Sequence, residues 1–106
     1  MSKIILAIES SCDETAVAII KDDELLANVV STQIEVHTKY GGVMPEIASR
    51  LHAENITIVL KEALDKANIK LEDISAVAVT RGPGLIGALH VGIQAAKTIA
   101  LLYNKP

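Results

Sequence analysis

A short polar segment, ESSCDET, follows the first apolar run of the chain and combines hydroxyl side chains with two acids. The hydroxyls of Ser10, Ser11 and Thr15, together with the backbone N–H groups of a turn, can surround phosphate oxygens. Asp13 and Glu14 are suited to position a metal, orient a nucleophile or accept a proton. A hairpin tip with solvated acids fits the same pattern, so the spacing leaves both interpretations open.

A second segment, RGPGLIG, carries the residues of a tight turn, Gly82, Pro83 and Gly84, ahead of a helix that should begin near Gly87. Backbone N–H groups and the helix dipole at such a turn favour an anion, and glycine lets a ligand approach the backbone closely. A plain strand-to-helix turn is equally consistent, because a glycine pattern alone is weakly specific.

A third segment, HTKYGGVMPEIASRLH, places Glu46, Arg50 and His52 in the first turns of a predicted helix. The simpler interpretation is a surface ion pair between Glu46 and Arg50 beside a partly buried His52. The histidines His37, His52 and His90 are too scattered in sequence to propose as a metal set, since ligands usually include a closely spaced pair.

The elements that must position these segments begin with three strands. Apolar runs over 3–8 and 15–20 predict two strands that form a hairpin, each buried on both faces. Asp22 and Asp23 supply the turn to a third antiparallel strand over 24–33. The sequence therefore predicts a three-stranded meander with the ESSCDET segment at one hairpin tip.

Two helices and a fourth strand complete the predicted order β-β-β-α-β-α. A helix should begin at Pro45, where proline's missing N–H is tolerated, and its apolar residues recur every three or four positions to face the sheet. A strand over 75–80 leads into a second helix whose small residues allow close docking on the sheet. A further parallel strand is expected where the chain stops, so an open edge should pair with another copy or aggregate.

The 106 residues correspond to one small domain, and their net charge of −3 argues against a strong grip on a phosphate backbone. Cys12 is the only cysteine, which excludes an internal disulfide and is typical of a reducing cytosol. No His or Lys is adjacent to it in sequence, so a packing role is favoured over a nucleophile. The apolar runs are judged too short for a signal or membrane span, and a cytoplasmic location is expected.

Taken together, IESSCDETAVAI, HTKYGGVMPEIASRLH and TRGPGLIGAL resemble, in order and spacing, the three N-terminal signatures of the TsaD (Gcp) family. The resemblance covers essentially the whole chain. It implies an α/β ribonuclease-H-like fold of the actin and sugar-kinase ATPase superfamily, with ligand bound between two lobes. Residues 1–106 would be the N-terminal part of the first lobe, without the rest of that lobe or the second lobe.

The same resemblance implies the reaction and the residues that serve it. Family members move a threonylcarbamoyl group from threonylcarbamoyl-adenylate to N6 of the adenosine beside the tRNA anticodon. The matching positions are Asp13 and Glu14 as catalytic acids; Ser10, Ser11, Thr15, Gly82, Pro83 and Gly84 as ligand-binding residues; and Glu46, Arg50 and His52 as supporting or RNA-facing residues.

Cofactors and partners are also implied by the resemblance. The family holds one divalent metal ion, iron or zinc, through a His-x-x-x-His pair that would begin shortly after Pro106 and an Asp far downstream. Its ligand is threonylcarbamoyl-adenylate or an adenine nucleotide, and its partners are tRNA, a paralogous TsaB-type subunit and a TsaE-type ATPase, with no membrane. Residues 1–106 by themselves are therefore expected to be inactive.

Three other interpretations fit the sequence less well. The TsaB-type paralogue, a structural subunit, shares the fold but lacks the CDE turn and the YGGV-PE-ASR-H element. A sugar or acetate kinase of the same superfamily would explain a phosphate-binding turn but not the third segment. The family's older label, an O-sialoglycoprotein endopeptidase, finds no support, because neither a nucleophile with an evident base nor a zinc-protease motif is present.

Overall fold

The computed structural model describes residues 2–106, which fold into one mixed α/β unit. Its strands are β1 (Ile4–Glu9), β2 (Glu14–Lys21), β3 (Glu24–Thr32) and β4 (Ala76–Val79); its α-helices are α1 (Ile34–Lys39), α2 (Pro45–Ala67) and α3 (Ile86–Tyr103); and a 3-10 turn spans Leu71–Asp73. The predicted order of strands and long helices is confirmed, with α1 as an addition.

The sheet has the strand order β3-β2-β1-β4. Strands β1, β2 and β3 are antiparallel neighbours, which confirms the meander, and Asp22 adopts the left-handed conformation (φ 53°) in the turn between β2 and β3. Strand β4 pairs with β1 in parallel. The ends of β1 and β4 therefore lie side by side, and the loops that follow them meet at one edge of the sheet.

Helices α2 and α3 pack against each other and cover one face of the sheet. The core between these layers is aliphatic, and its members include Leu6, Ile8, Val17, Ile19, Val59, Ala63 and Ile99. Pro45 lies in the first turn of α2, as predicted, and the buried face of α3 contains Ala88, Gly92 and Ala96. The two faces predicted to meet the sheet are the ones that do.

The prediction that β1 and β2 are buried on both faces is wrong for the part of the chain that the structure describes. In β2, Ile20 keeps 37% of its surface exposed. Leu6 and Ile8 face the helices and are buried, whereas Ile5 and Ala7 point to the opposite side, where Ile5 keeps 39% of its surface exposed. A run of alanine and isoleucine fits either a covered or an open face. Composition alone could not show that helices cover only one side.

Helix α1 was not predicted. Its segment is rich in β-branched residues and short, so no helical periodicity can develop over Ile34–Lys39. Two hydrogen bonds stabilise it, one tertiary and one local. The N–H of Gln33 donates to the carbonyl of Asp13 (2.7 Å), and the N–H of Gly42 donates to the carbonyl of His37 (3.1 Å) in the C-terminal turn of the helix. Gly41, with φ of 75°, carries the chain out of the helix.

Helix α3 is long and apolar enough to cross a membrane, by length and composition only. This differs from the expectation that every apolar run is too short for a span. A core helix has the same length and composition. The contacts of α3 are with α2, β1 and β4. After α3 the chain returns to the sheet, where the carbonyl of Pro106 accepts a hydrogen bond from the N–H of Val77 in β4 (2.8 Å).

The end of β1 is joined to α3 by a buried hydroxyl. Ser10 is 1% exposed; its Oγ donates to the carbonyl of Ala88 (2.7 Å) and accepts from the N–H of Gly92 (3.0 Å). These two backbone groups are an i, i+4 pair of the helix, so the hydroxyl bonds both partners of one helical rung. A Cβ built on Gly92 would lie 2.5 Å from this oxygen, and glycine is therefore required for the close approach.

Substitution of Gly92→Ala is expected to lower the free energy of unfolding by about 1–3 kcal/mol, because the added methyl group overpacks the Ser10 site. Urea denaturation of the variant would measure this. The double variant Ser10→Ala/Gly92→Ala should recover most of the loss, since the methyl group then meets no hydroxyl. A Gly92→Ala variant as stable as the unchanged protein would contradict the close approach.

Candidate active site

The turn between β1 and β2 lies at the centre of the site and is held by its backbone carbonyls. Three successive carbonyls each accept a hydrogen bond from a different part of the fold: Ser11 from the N–H of Leu85 (2.8 Å), Cys12 from Nε2 of His52 (2.9 Å) and Asp13 from the N–H of Gln33 (2.7 Å). The glycine turn, α2 and the start of α1 thus fix one short segment. The turn is positioned without using its own acidic side chains.

His52 provides the contact from α2 and has no exposed surface. Because the Cys12 carbonyl can only accept, Nε2 of His52 carries the proton in that bond. In the neutral ring Nδ1 is then an acceptor, and it receives the hydroxyl proton of Thr15 at 2.7 Å. The sequence favours a partly buried histidine, but the side chain is completely buried. It can support the turn, and it cannot face RNA.

Glu46 and Arg50 lie on the same helix as His52 but do not form the expected ion pair. Both side chains are exposed. In residues 2–106 the structure has one salt bridge, between Glu62 and Lys66 near the end of α2. The predicted i, i+4 pair is therefore absent, because exposed side chains gain little from such pairing. Glu46 and Arg50 therefore stay exposed, with no salt bridge in the described chain.

The hydroxyl groups predicted to bind ligand differ in their availability. Those of Ser10 and Thr15 are buried and hydrogen-bonded within the fold, so their positions stabilise the turn rather than face a ligand. The N–H of Ser11 is also occupied, since Oε1 of Glu9 accepts from it at 2.6 Å. The hydroxyl of Ser11 is half-buried and has no hydrogen bond in the described chain, which leaves it free to contact a ligand.

The two acids of the turn are accessible. Asp13 is half-buried and Glu14 is exposed at the first position of β2. Within the described residues, neither carboxylate has a hydrogen bond or a salt bridge, although the backbone on both sides is held firmly. Two carboxylates fixed at one edge and left without partners are suited to accept protons or orient a nucleophile.

The glycine turn packs directly on the β1–β2 turn. A Cβ built on Gly84 would lie 2.6 Å from the carbonyl oxygen of Ser11, and one built on Gly87 would collide with the hydroxyl of Ser49 on α2. Gly82, Pro83 and Gly84 are exposed, so this turn can approach a ligand. Glycine at positions 84 and 87 is required by contacts within the protein, which the sequence motif could not distinguish from contacts with a ligand.

Gln33 and His37 form a buried polar network next to Asp13 that the sequence motifs do not include. His37 Nε2 donates to Oε1 of Gln33 (2.7 Å), and Gln33 Nε2 donates to the carbonyl of Ala48 (3.3 Å). Both side chains are buried, and the network joins the start of α1 to α2. The i, i+4 spacing of Gln33 and His37 is the signal that could have identified the pair, but only with α1 recognised as a helix.

A metal site does not fit this part of the chain. In residues 2–106 no group of three or more His, Cys, Asp or Glu side chains is close enough to hold an ion. His37 and His52 are buried in the hydrogen bonds described above, and the Cys12 thiol is free and half-buried. No chemical step in this chain is therefore assigned to a metal.

Comparisons with known proteins agree with the sequence resemblance. The family described as TsaD, tRNA N6-adenosine threonylcarbamoyltransferase, matches over residues 24–106. Among relatives carrying that name, the protein of Bacillus anthracis is 61% identical, with 97% of this chain and 30% of the relative covered. The protein of Clostridioides difficile is 62% identical, with 100% and 32% covered. The chain thus spans about a third of the length of these relatives.

The solved structures show the same fold. YeaZ from Pseudomonas aeruginosa superposes with a TM-score of 0.76 at 21% identity, over 98% of this chain and 41% of that protein. At this identity the likeness concerns architecture alone. It confirms the predicted α/β ribonuclease-H-like fold for the described residues.

Substitution of His52→Ala is expected to lower the free energy of unfolding by about 2–4 kcal/mol, because it leaves a cavity and two buried polar groups without a partner. The exposed His90 on α3 offers a matched control, and His90→Ala should change stability by no more than about 0.5 kcal/mol. Urea denaturation measures both. Equal, small effects would contradict the role assigned to His52.

The glycine turn offers a second matched pair. Gly84→Ala should destabilise the fold by about 1–3 kcal/mol, because the new methyl group would collide with the rigid backbone of Ser11. Gly82→Ala should be close to neutral, since a Cβ at Gly82 meets nothing within 4 Å. Thermal unfolding of the two variants, side by side, gives the comparison; a larger loss for Gly82→Ala would refute the assigned packing.

Proposed function

The chain belongs to the TsaD family of tRNA N6-adenosine threonylcarbamoyltransferases, and we propose that its β1–β2 turn supplies the acids for threonylcarbamoyl transfer in a longer protein. The observation that carries this proposal is the contrast within the turn. The backbone carbonyls of Ser11, Cys12 and Asp13 are bonded to the fold, whereas the carboxylates of Asp13 and Glu14 have no partner within the described residues. A carboxylate so placed is ready for a substrate.

In the proposed reaction, the N6 amine of the adenosine beside the tRNA anticodon attacks the carbamoyl carbon of threonylcarbamoyl-adenylate. A C–N bond forms, and the bond from that carbon to the phosphate oxygen breaks. Adenylate leaves with the electron pair of the broken bond. The amine must lose one proton, and a carboxylate within hydrogen-bond reach is a suitable acceptor. Asp13, which is half-buried within the turn, is assigned this role. Glu14 is assigned to orient the amine or the leaving group.

The glycine turn is proposed to lie against the adenylate phosphate. Gly82, Pro83 and Gly84 are exposed, and α3 begins two residues later with its first-turn N–H groups directed away from the helix. Helix N-termini of this kind favour anions. The free hydroxyl of Ser11, which lies next to Gly84, can donate to the same group.

The remaining parts of the active site are proposed for the part of the protein outside this chain. They are the divalent metal, iron or zinc, the rest of the nucleotide pocket and the second lobe. The partners proposed for the whole protein are tRNA, a TsaB-type subunit and a TsaE-type ATPase. The exposed Glu46 and Arg50 are available to such a partner. Residues 1–106 alone are proposed to be inactive.

Substitution of Asp13→Asn or Glu14→Gln in the full-length protein should reduce threonylcarbamoyl transfer by about 10²–10⁴-fold, the usual contribution of a positioned general base. Stability should change by no more than about 0.5 kcal/mol, because neither carboxylate holds the turn. The assay combines tRNA, partner proteins, threonine, bicarbonate and ATP, with nucleoside mass spectrometry as the readout. Asp23→Asn, an exposed acid in the β2–β3 turn, is the control and should keep full activity. Activity close to normal in both acid variants would reject the proposed mechanism.

A further inference from the structure

A groove on the outer side of α1 shares Asp13 with the proposed active site and has no role in the function described so far. We call it the α1 groove; it is lined by Asp13, Ile34, His37, Thr38, Gly41, Gly42 and Val43 and has a volume of about 400 Å³. Ligand pockets in proteins usually range from about 300 to 1,000 Å³. The groove is therefore large enough for a flat ring of the size of a nucleobase.

The side-chain polar atoms open to the α1 groove are acceptors. The Asp13 carboxylate has no partner among residues 2–106, and Thr38 donates its hydroxyl hydrogen to the carbonyl of Ile34 (2.8 Å), so that its oxygen keeps only lone pairs. His37 contributes no free nitrogen, because Nε2 bonds Gln33 and Nδ1 receives the N–H of Met44 at 3.5 Å. A ligand that donates hydrogen bonds, such as an amine, complements this set.

The walls of the α1 groove suit a planar apolar surface. Ile34 is 55% exposed and Val43 40% exposed, and neither is covered by another element of the described chain. A Cβ built on Gly41 or Gly42 would meet nothing within 4 Å, so the backbone there leaves open space. Unstacked RNA bases are bound by stacking and apolar contact on their faces and by hydrogen bonds to their edges. The groove offers both kinds of contact.

We infer that the α1 groove receives the adenine of the RNA substrate that is to be modified, with its exocyclic amine directed to Asp13 and its ring between Ile34 and Val43. This inference rests on the proposed function, which makes an adenine amine the nucleophile. The backbone of Asp13 is fixed to the first residue before α1 through the Gln33 N–H. The position of the Asp13 backbone relative to α1 is therefore fixed, as proton transfer from an amine bound in the groove requires.

The adenine of threonylcarbamoyl-adenylate is a poorer occupant, for a chemical reason. Its amine does not react, so it has no need of a free carboxylate, and its binding next to Asp13 would block the approach of the nucleophile. The reacting amine, in contrast, must lie within hydrogen-bond reach of the group that takes its proton. One carboxylate at the edge of a base-sized groove meets that requirement.

The first test measures binding, without turnover, of the full-length protein with its partner subunits to a short anticodon stem-loop RNA. Two RNAs are compared, one with adenosine at the position to be modified and one with purine riboside there, which lacks the exocyclic amine. The adenosine RNA should bind about tenfold more tightly, because the carboxylate loses a hydrogen bond to the second RNA. Equal affinity for the two RNAs would overturn the inference.

The second test changes the groove itself. Thr38→Val removes the acceptor oxygen at nearly constant shape, and it should raise KM for tRNA about three- to tenfold while KM for threonylcarbamoyl-adenylate stays constant. Thr98→Val on α3 is the control, because Thr98 is also an exposed helical threonine bonded to the carbonyl four residues before it (2.8 Å). Thr38→Ser keeps the oxygen and should behave as the unchanged protein.

The outcomes separate the inference from the proposed function. If the unchanged protein carries out transfer but Thr38→Val behaves as Thr98→Val does, the groove assignment is overturned and the proposed function is left intact. A raised KM for threonylcarbamoyl-adenylate in Thr38→Val, in place of a raised KM for tRNA, would have the same meaning. Absence of transfer, with the adenosine RNA still preferred and its binding weakened in Thr38→Val but not in Thr98→Val, would reject the proposed function and support the groove as an adenine site.

Discussion

The structure depends on one constraint, the fixing of the β1–β2 turn through its own backbone. The carbonyls of Ser11, Cys12 and Asp13 each accept a hydrogen bond from a different segment, and the buried hydroxyl of Ser10 joins the same turn to α3. Because these bonds use main-chain atoms and small hydroxyls, the acids are not needed for folding. The fold can therefore hold two carboxylates at a defined place and leave them free for chemistry.

Most of the fold followed from apolar patterning. The meander, the long helix that begins at Pro45 and the small-residue face of α3 are set by periodicity and by local turn chemistry, which a sequence displays directly. Helix α1 and the open face of β1 could not be predicted in the same way. The first is stabilised by contacts with Asp13 and within its own C-terminal turn, and the second depends on which elements happen to cover the sheet.

The sequence predicted the segments of the candidate site, but not which of their side chains are hydrogen-bonded within the fold. The structure brings the three motif segments, ESSCDET, the glycine turn and the start of α2, together. Residue types alone could not show that the hydroxyls of Ser10 and Thr15 bond inward, or that His52 is buried between Cys12 and Thr15. A hydroxyl near an acid fits ligand binding and internal bonding equally well, and only the neighbours in three dimensions decide between them.

The most direct test of how the β1–β2 turn is held is to determine which ring nitrogen of His52 carries the proton, by nitrogen-15 NMR of the labelled full-length protein. A hydrogen bond from Nε2 to the Cys12 carbonyl, with Nδ1 accepting from Thr15, predicts one neutral tautomer with the proton on Nε2 and a slowly exchanging N–H. A ring protonated on Nδ1 alone, or one in rapid exchange between tautomers, would contradict the account, because the turn would then lack its contact with α2.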